Sequence, residues 1–174
     1  VAQKHSSQGF DLCNAPHCQA YSGMDSVTAE SSRAVTETRG EYLWYNGSLI
    51  DAVYSSHDGG ATESAVNVWG SNVPYLIGKE DPYEASVASK VPNYNWTVTY
   101  TAQELTELLN SKGYINSGIV DFRVTKTSPT GNAIEITFTD FSGKSWSKIR
   151  DDCRTFLGLR SIHYTVTSSG GGSG

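Results

Sequence analysis

Two histidines and two cysteines crowd the first 18 positions of this chain: His5, Cys13, His17 and Cys18. Two thiolates and two imidazoles make a complete tetrahedral zinc set, and zinc, a borderline-soft ion, accepts both donor types. His17 and Cys18 are neighbours, and neighbouring side chains on a strand point to opposite faces. Aiming both at one ion requires a turn or an irregular segment, which Pro16 and the loop composition around it allow. The spacing matches no standard zinc finger. The competing reading is a Cys13–Cys18 disulfide that closes a small loop and leaves the histidines incidental, a common device in exported proteins. Spacing alone leaves both open.

The remainder of the chain alternates short helical and hairpin signals. "TAESSRAVTETRG", residues 28–40, reads as a helix with Thr28 as N-cap, Ala34, Val35 and Thr38 on one side and Gly40 at the C-terminal stop. "EYLWYNGSLIDAVYSS" is a hairpin turning at Asn46-Gly47. "HDGGATES" is a glycine-rich loop, and "VNVWGSNVPYLIG" is a short extended stretch with loop character. In "YTAQELTELLNSKG", Thr101 and Glu104 form a capping box, Leu105, Leu108 and Leu109 a buried stripe, and Gly113 a stop. A second hairpin joins "FRVTKT" to "AIEITFT" through "SPTGN". "SWSKIRDDCRTFLGL" reads as a third helix burying Ile149, Cys153 and Phe156, with Cys153 an inert core thiol, and "SIHYTV" as a closing strand with His163 structural. The sum is an α+β chain dominated by antiparallel β-hairpins, with a few short helices packed on one side. It reads as one domain over residues 1–167, followed by a flexible Gly/Ser tail at 168–174.

Charge narrows the partners. The net charge is -5 and Lys/Arg residues stand singly, so the chain shows neither a nucleic-acid footprint nor an anionic-membrane patch. No apolar run reaches the length of a membrane span. The abrupt start at Val1 reads as a mature or excised fragment. His57-Asp58 is too close in sequence for a serine-type triad, and no nucleophile elbow accompanies it. Trp69 and Tyr75 are more often core residues than sugar platforms.

Several long, ordered motifs carry a family likeness. "GFDLCNAPHCQAY", "AVTETRGEYLWYNGSLIDAVYSSHDGGATES", "VWGSNVPYL", "DPYE" and the later "FRVTKTSPTGNAIEITFTDFSGKSWS" resemble the stage II sporulation protein D family, with its SpoIID/LytB-type domain. The resemblance spans nearly all of residues 1–167. It implies an extracytoplasmic protein of the bacterial cell envelope, or of the space between forespore and mother cell, acting on peptidoglycan glycan strands. The family's lytic transglycosylases cut strands already stripped of peptides, leaving anhydromuramoyl ends. Other relatives enhance a wall amidase.

The resemblance also implies a zinc site near the catalytic groove, held by His5, Cys13, His17 and Cys18; four protein ligands leave no open position, so such an ion reads as structural, fixing the 5–18 segment as one groove wall. The family's catalytic acid is a glutamate upstream of the point where this chain begins, so no residue here is assigned as catalytic. The chain then lacks its N-terminal part, takes it from a partner wall hydrolase, or is a non-catalytic glycan-binding or amidase-enhancer module. Gln19 and Tyr21 are candidate sugar contacts beside the metal segment. Ser56, His57, Gly59, Gly60, Thr62 and Glu63 are candidates in the glycine-rich loop, where glycine permits close backbone approach. Glu63 is the first candidate for an acid within the chain, but a structural or sugar-binding role is the stronger expectation for it. The Asn46 and Asn95 glycosylation sequons carry no meaning in a bacterial protein.

Overall fold

In the computed structural model, which describes residues 4–15, 17–18 and 23–168, internal contacts divide the chain into Val1–Tyr54 and Ser55–Gly174. The amino-terminal unit holds a 3-10 turn at Ser6–Gln8, a second at Met24–Ser26, helix α1 (Ala29–Glu37) and a hairpin of strands β1 (Trp44–Tyr45) and β2 (Ser48–Leu49). Thr28 caps α1: its hydroxyl accepts from the Ser31 N–H, and the Ser31 hydroxyl accepts from the Thr28 N–H. Thr38 closes α1, and Gly40, two residues on, takes the left-handed φ of 85°. Asn46 and Gly47 both have positive φ, 47° and 78°, the mirror-image turn that matches strand twist. None of the described residues of this unit is buried. The side of α1 carrying Val35 faces solvent, with Val35 72% exposed.

The second unit carries the core. Helix α2 (Ala65–Trp69) precedes a 3-10 segment (Glu84–Lys90) and helix α3 (Ala102–Ser111). Strands β3 (Ile119–Thr127), β4 (Ala133–Asp140) and β5 (Ser145–Ile149) form an antiparallel sheet in that order, and helix α4 (Asp152–Thr155) follows. The register sets Phe122 and Trp146 on either side of Phe138. Phe122 and Phe138 stack at 4.7 Å, and Phe156 lies 5.6 Å from Phe138. Leu105 and Leu109 of α3, Ile136 and Phe138 of β4, and Cys153, Phe156, Leu157 and Leu159 close the cluster. Leu108 packs at its margin. The capping box of α3 is complete: Thr101 Oγ1 accepts from the Glu104 N–H at 3.1 Å, and Glu104 Oε2 accepts from the Thr101 N–H at 2.7 Å. Thr101→Ala is expected to lower stability by about 1 kcal/mol, read as a fall in the urea midpoint at unchanged m-value.

Three expectations are corrected. Residues 65–69 form α2 rather than an extended stretch. Val66 and Val68 favour strands, but Ser64 enters in an extended conformation and Gly70, at φ 83°, provides the left-handed stop. "SWSKI" is strand β5, not helix. Its alternation leaves Trp146 and Lys148 partly buried and Ile149 47% exposed, so Ile149 does not join Cys153 and Phe156. "SIHYTV" makes no strand. The Ala133 N–H bonds the Ile162 carbonyl, but no ladder extends from it among the described residues. Cys153 is fully buried, and its Sγ donates to the Lys148 carbonyl at 3.4 Å. Burial and the Asp152 charge push its thiol up to about 11, the profile of an inert core cysteine. No helix among the described residues is long and apolar enough to cross a membrane.

Candidate metal centre and glycine-lined cavity

His5, Cys13, His17 and Cys18 converge. Each offers one ligand atom, and these atoms lie within 4.8 Å of one another. Cys18 Sγ is 3.4 Å from His5 Nε2 and 3.5 Å from His17 Nδ1, while Cys13 Sγ is 3.9 Å from His17 Nδ1. Tetrahedral zinc with Zn–S and Zn–N bonds of ordinary length separates a sulfur from a nitrogen by about 3.5 Å. The donor set therefore fits the ion after small closing movements. Local geometry arranges this: the turn of residues 5–8 presents His5, and a turn bonding the Cys18 N–H to the Ala15 carbonyl brings Cys18 beside His17. His5 donates from Nδ1 to Gln8 Oε1 at 3.0 Å and stacks on Phe10 at 4.7 Å, which fixes the tautomer and leaves Nε2 for the site. The Ala15 backbone and the His17 imidazole hold the Cys13 thiol down to about 6, favouring the thiolate that a metal binds. Cys13 and Cys18 are free thiols here, with no bond between them.

Of the sugar-contact candidates, Gln19 and Tyr21 lie outside the described residues. The others sit in the carboxy-terminal unit in different situations. Ser56 is exposed. His57 is partly buried, with Nδ1 3.8 Å from Glu84 Oε1 and its ring 5.9 Å from Tyr94. Thr62 Oγ1 accepts from the Lys79 N–H at 3.0 Å, a loop-to-loop tie. Trp69 is 53% exposed and stands outside the core.

Glu63 is the most constrained. Its Oε1 accepts from the Ser64 N–H at 2.7 Å and from Asn67 Nδ2 at 2.8 Å. Its Oε2 accepts from Ser128 Oγ at 2.5 Å, Thr130 Oγ1 at 2.8 Å and Asn132 Nδ2 at 2.9 Å. Burial works to raise this carboxyl, but the donors, Ser128 foremost, outweigh it and bring it down to about 2. A group so held is ionised at neutral pH and has no proton to give. Glu63 thus clamps the 128–132 turn.

Gly59 and Gly60, at φ 77° and 99°, line a cavity of about 470 Å³ together with Glu80, Thr130, Gly131 and His163. The Gly60 N–H is taken by Asp58 Oδ1 at 2.9 Å. Bonded to the Asp58 backbone is Glu84, which the sequence signals only by its place in "DPYE". It is 93% buried by complement of its 7% exposure, its Oε1 accepts from the Asp58 N–H at 2.7 Å, and its Oε2 has no hydrogen-bond partner among the described residues. Burial, with the facing Glu84 carboxyl, holds the Asp58 carboxyl above its usual range. The only sequence signal for this pairing is the joint presence of "HDGG" and "DPYE", since burial of an acid 26 residues from its partner leaves no periodic trace.

The comparisons with known proteins agree on one family. Residues 1–45 match the model of SpoIID, described as a stage II sporulation protein. The amidase enhancer of Bacillus subtilis (strain 168) is 46% identical over 87 residues, covering 50% of this chain and 11% of that protein. Stage II sporulation protein D of the same strain is 31% identical over 150 residues, covering 81% of this chain and 40% of that protein. Stage II sporulation protein D of Bacillus amyloliquefaciens is 29% identical over 143 residues, 80% of this chain and 38% of that protein. The chain thus matches well under half the length of each of these relatives. No solved structure matches it.

Proposed function

This chain belongs to the SpoIID family, and on that premise we propose that it acts at the bacterial cell wall as a module that holds peptidoglycan glycan strands. The observation that carries this reading is the pairing of an open, glycine-lined cavity with the withdrawal of Glu63 from chemistry. The cavity suits a neutral ligand pressed close to backbone, and the best-placed carboxylate of the chain is locked as an anion. The 46% identity to an amidase enhancer supports a partner role beside a wall hydrolase.

Zinc is the ion we assign to His5, Cys13, His17 and Cys18. Four protein ligands leave no open coordination position, so the ion supplies shape rather than Lewis acidity. It would hold the 5–18 segment in the form that sets Gln19 and Tyr21 immediately after the last ligand.

A second reading is lytic transglycosylation, favoured by the match to stage II sporulation protein D over 81% of this chain. That reaction needs one carboxyl of raised pKa, first as acid to the leaving sugar oxygen and then as base to the muramoyl C6 hydroxyl. Ionised Glu63 does not suit that role. Incubation of the full chain with peptide-free glycan strands, followed by sedimentation and mass analysis, separates the readings. Intact strands that sediment with the protein are expected. Anhydromuramoyl ends would install the transglycosylase reading, and strands left wholly in the supernatant would remove the binding one.

A further inference from the structure

His163 stands at the cavity in a defined tautomer. Glu63 is ionised and can only accept hydrogen bonds, so the group of Asn132 that faces its Oε2 at 2.9 Å is the amide NH2. The amide oxygen of Asn132 therefore faces His163, and Nδ1 of His163, 3.1 Å away, must be the donor. With the proton on Nδ1, Nε2 of the neutral imidazole carries a lone pair. Asn132 is buried and cannot swivel without breaking its bond to Glu63.

The glycines seat the ring. A Cβ at Gly59 would meet His163 Cγ at 3.6 Å, and one at Gly131 would meet Cε1 at 3.5 Å. A side chain at either glycine would thus come into van der Waals contact with the imidazole, whose Nδ1 is tied to Asn132. Three backbone donors beside the ring are already engaged: the Gly60 N–H to Asp58, the Gly131 N–H to the Ser128 carbonyl, and the Asp81 N–H to the Gly60 carbonyl. Two side-chain acceptors are offered to a ligand there, His163 Nε2 and Glu80, which lines the same cavity. An anionic ligand would face the Glu80 carboxylate there. A ligand rich in hydroxyl and amide donors is matched.

We propose that His163 is the residue that reads the ligand in this cavity, accepting through Nε2 a hydrogen bond from a hydroxyl or acetamido N–H of an N-acetylhexosamine, with Asn132 and Glu63 as its positioning residues. The choice of sugar rests on the glycan reading above; the tautomer and the acceptor face do not.

The test uses the full chain and peptide-free glycan strands as probe. In ¹⁵N-histidine NMR of the wild type, His163 should show a protonated Nδ1 and a bare Nε2, and the Nε2 resonance should move on adding strands. His163→Asn keeps a polar group at the Nδ1 position but offers nothing at Nε2, and should fold normally while binding about tenfold more weakly. His163→Gln returns an acceptor at the Nε2 position and should bind within about twofold of wild type. Wild type that binds while His163→Asn binds equally well overturns the role of His163 and leaves the glycan reading standing. Wild type that does not bind overturns the glycan reading and this ligand with it. A bare Nδ1 with a protonated Nε2 overturns the acceptor assignment whatever binds.

Discussion

Stripping metal from the zinc-loaded chain with a strong chelator is expected to unfold the amino-terminal unit and leave the carboxy-terminal unit folded. No described residue of the first unit is buried, and Phe10, Leu12, Met24, Val35, Trp44 and Leu49 are exposed. A nine-residue helix with no buried face is marginal in water, and so is a hairpin of two-residue strands. Neither has a core to lean on among the described residues of that unit. Metal–ligand bonds, worth about 10–16 kcal/mol of apparent folding energy in small zinc peptides at neutral pH, would then be the dominant stabilising term for residues 5–18 under the zinc assignment proposed above. The second unit has its own cluster around Phe138 and no such dependence. Hydrogen exchange followed by peptide reads the difference. Protection across residues 5–18 should vanish with chelator and return with zinc, while β3–β5 stay protected throughout. Cys13→Ser should mimic the chelator. Unchanged protection in the first unit, or mass analysis finding Cys13 linked to Cys18, would dismiss the metal centre.

The parts of this molecule that sequence made legible are those governed by neighbours in the chain. The Thr101–Glu104 capping box, the Asn46-Gly47 turn and the β3–β4 hairpin follow from residues a few positions apart, and each is present. The convergence of His5, Cys13, His17 and Cys18 was open to reading for the same reason, since short irregular connections can bring such donors together. The misread segments were decided by distant contacts. "SWSKI" has the composition to continue into the helix at 152, but pairing with β4 offers it five cross-strand partners and wins. "VNVWG" looks extended until Ala65, at 1% exposure, is packed inward and Gly70 ends the turn. "SIHYTV" has strand composition without a ladder to join. Glu63, Asn132 and His163 are separated by 69 and 31 positions, and no local pattern announces that they form one network.

That network gives the second large expected effect. Glu63→Gln should destabilise the carboxy-terminal unit by about 3 kcal/mol at neutral pH, because one carboxylate oxygen becomes an NH2 facing donors, and the buried Ser128 and Asn132 risk losing their acceptor. For a unit of this size, the loss corresponds to a fall in melting temperature of about 10 °C. The pH dependence identifies the cause. Glu63 titrates near 2 in the folded chain against an ordinary 4.5, so the unfolded chain binds the proton first as pH falls. Its contribution is complete above the unfolded value and is lost as pH drops toward 2. The stability gap between wild type and Glu63→Gln should therefore be full at pH 6 and shrink steadily below pH 4.5. Asp140, also held low by the Ser142 hydroxyl and the Ser117 and Lys144 backbone, adds an acid slope of its own, but both proteins share it and it cancels in the difference. Urea denaturation of each protein across that range measures the gap. A gap that stays constant from pH 6 to the acid limit would mean that Glu63 is not the anchor, and the fixed tautomer of His163 would lose its support along with it.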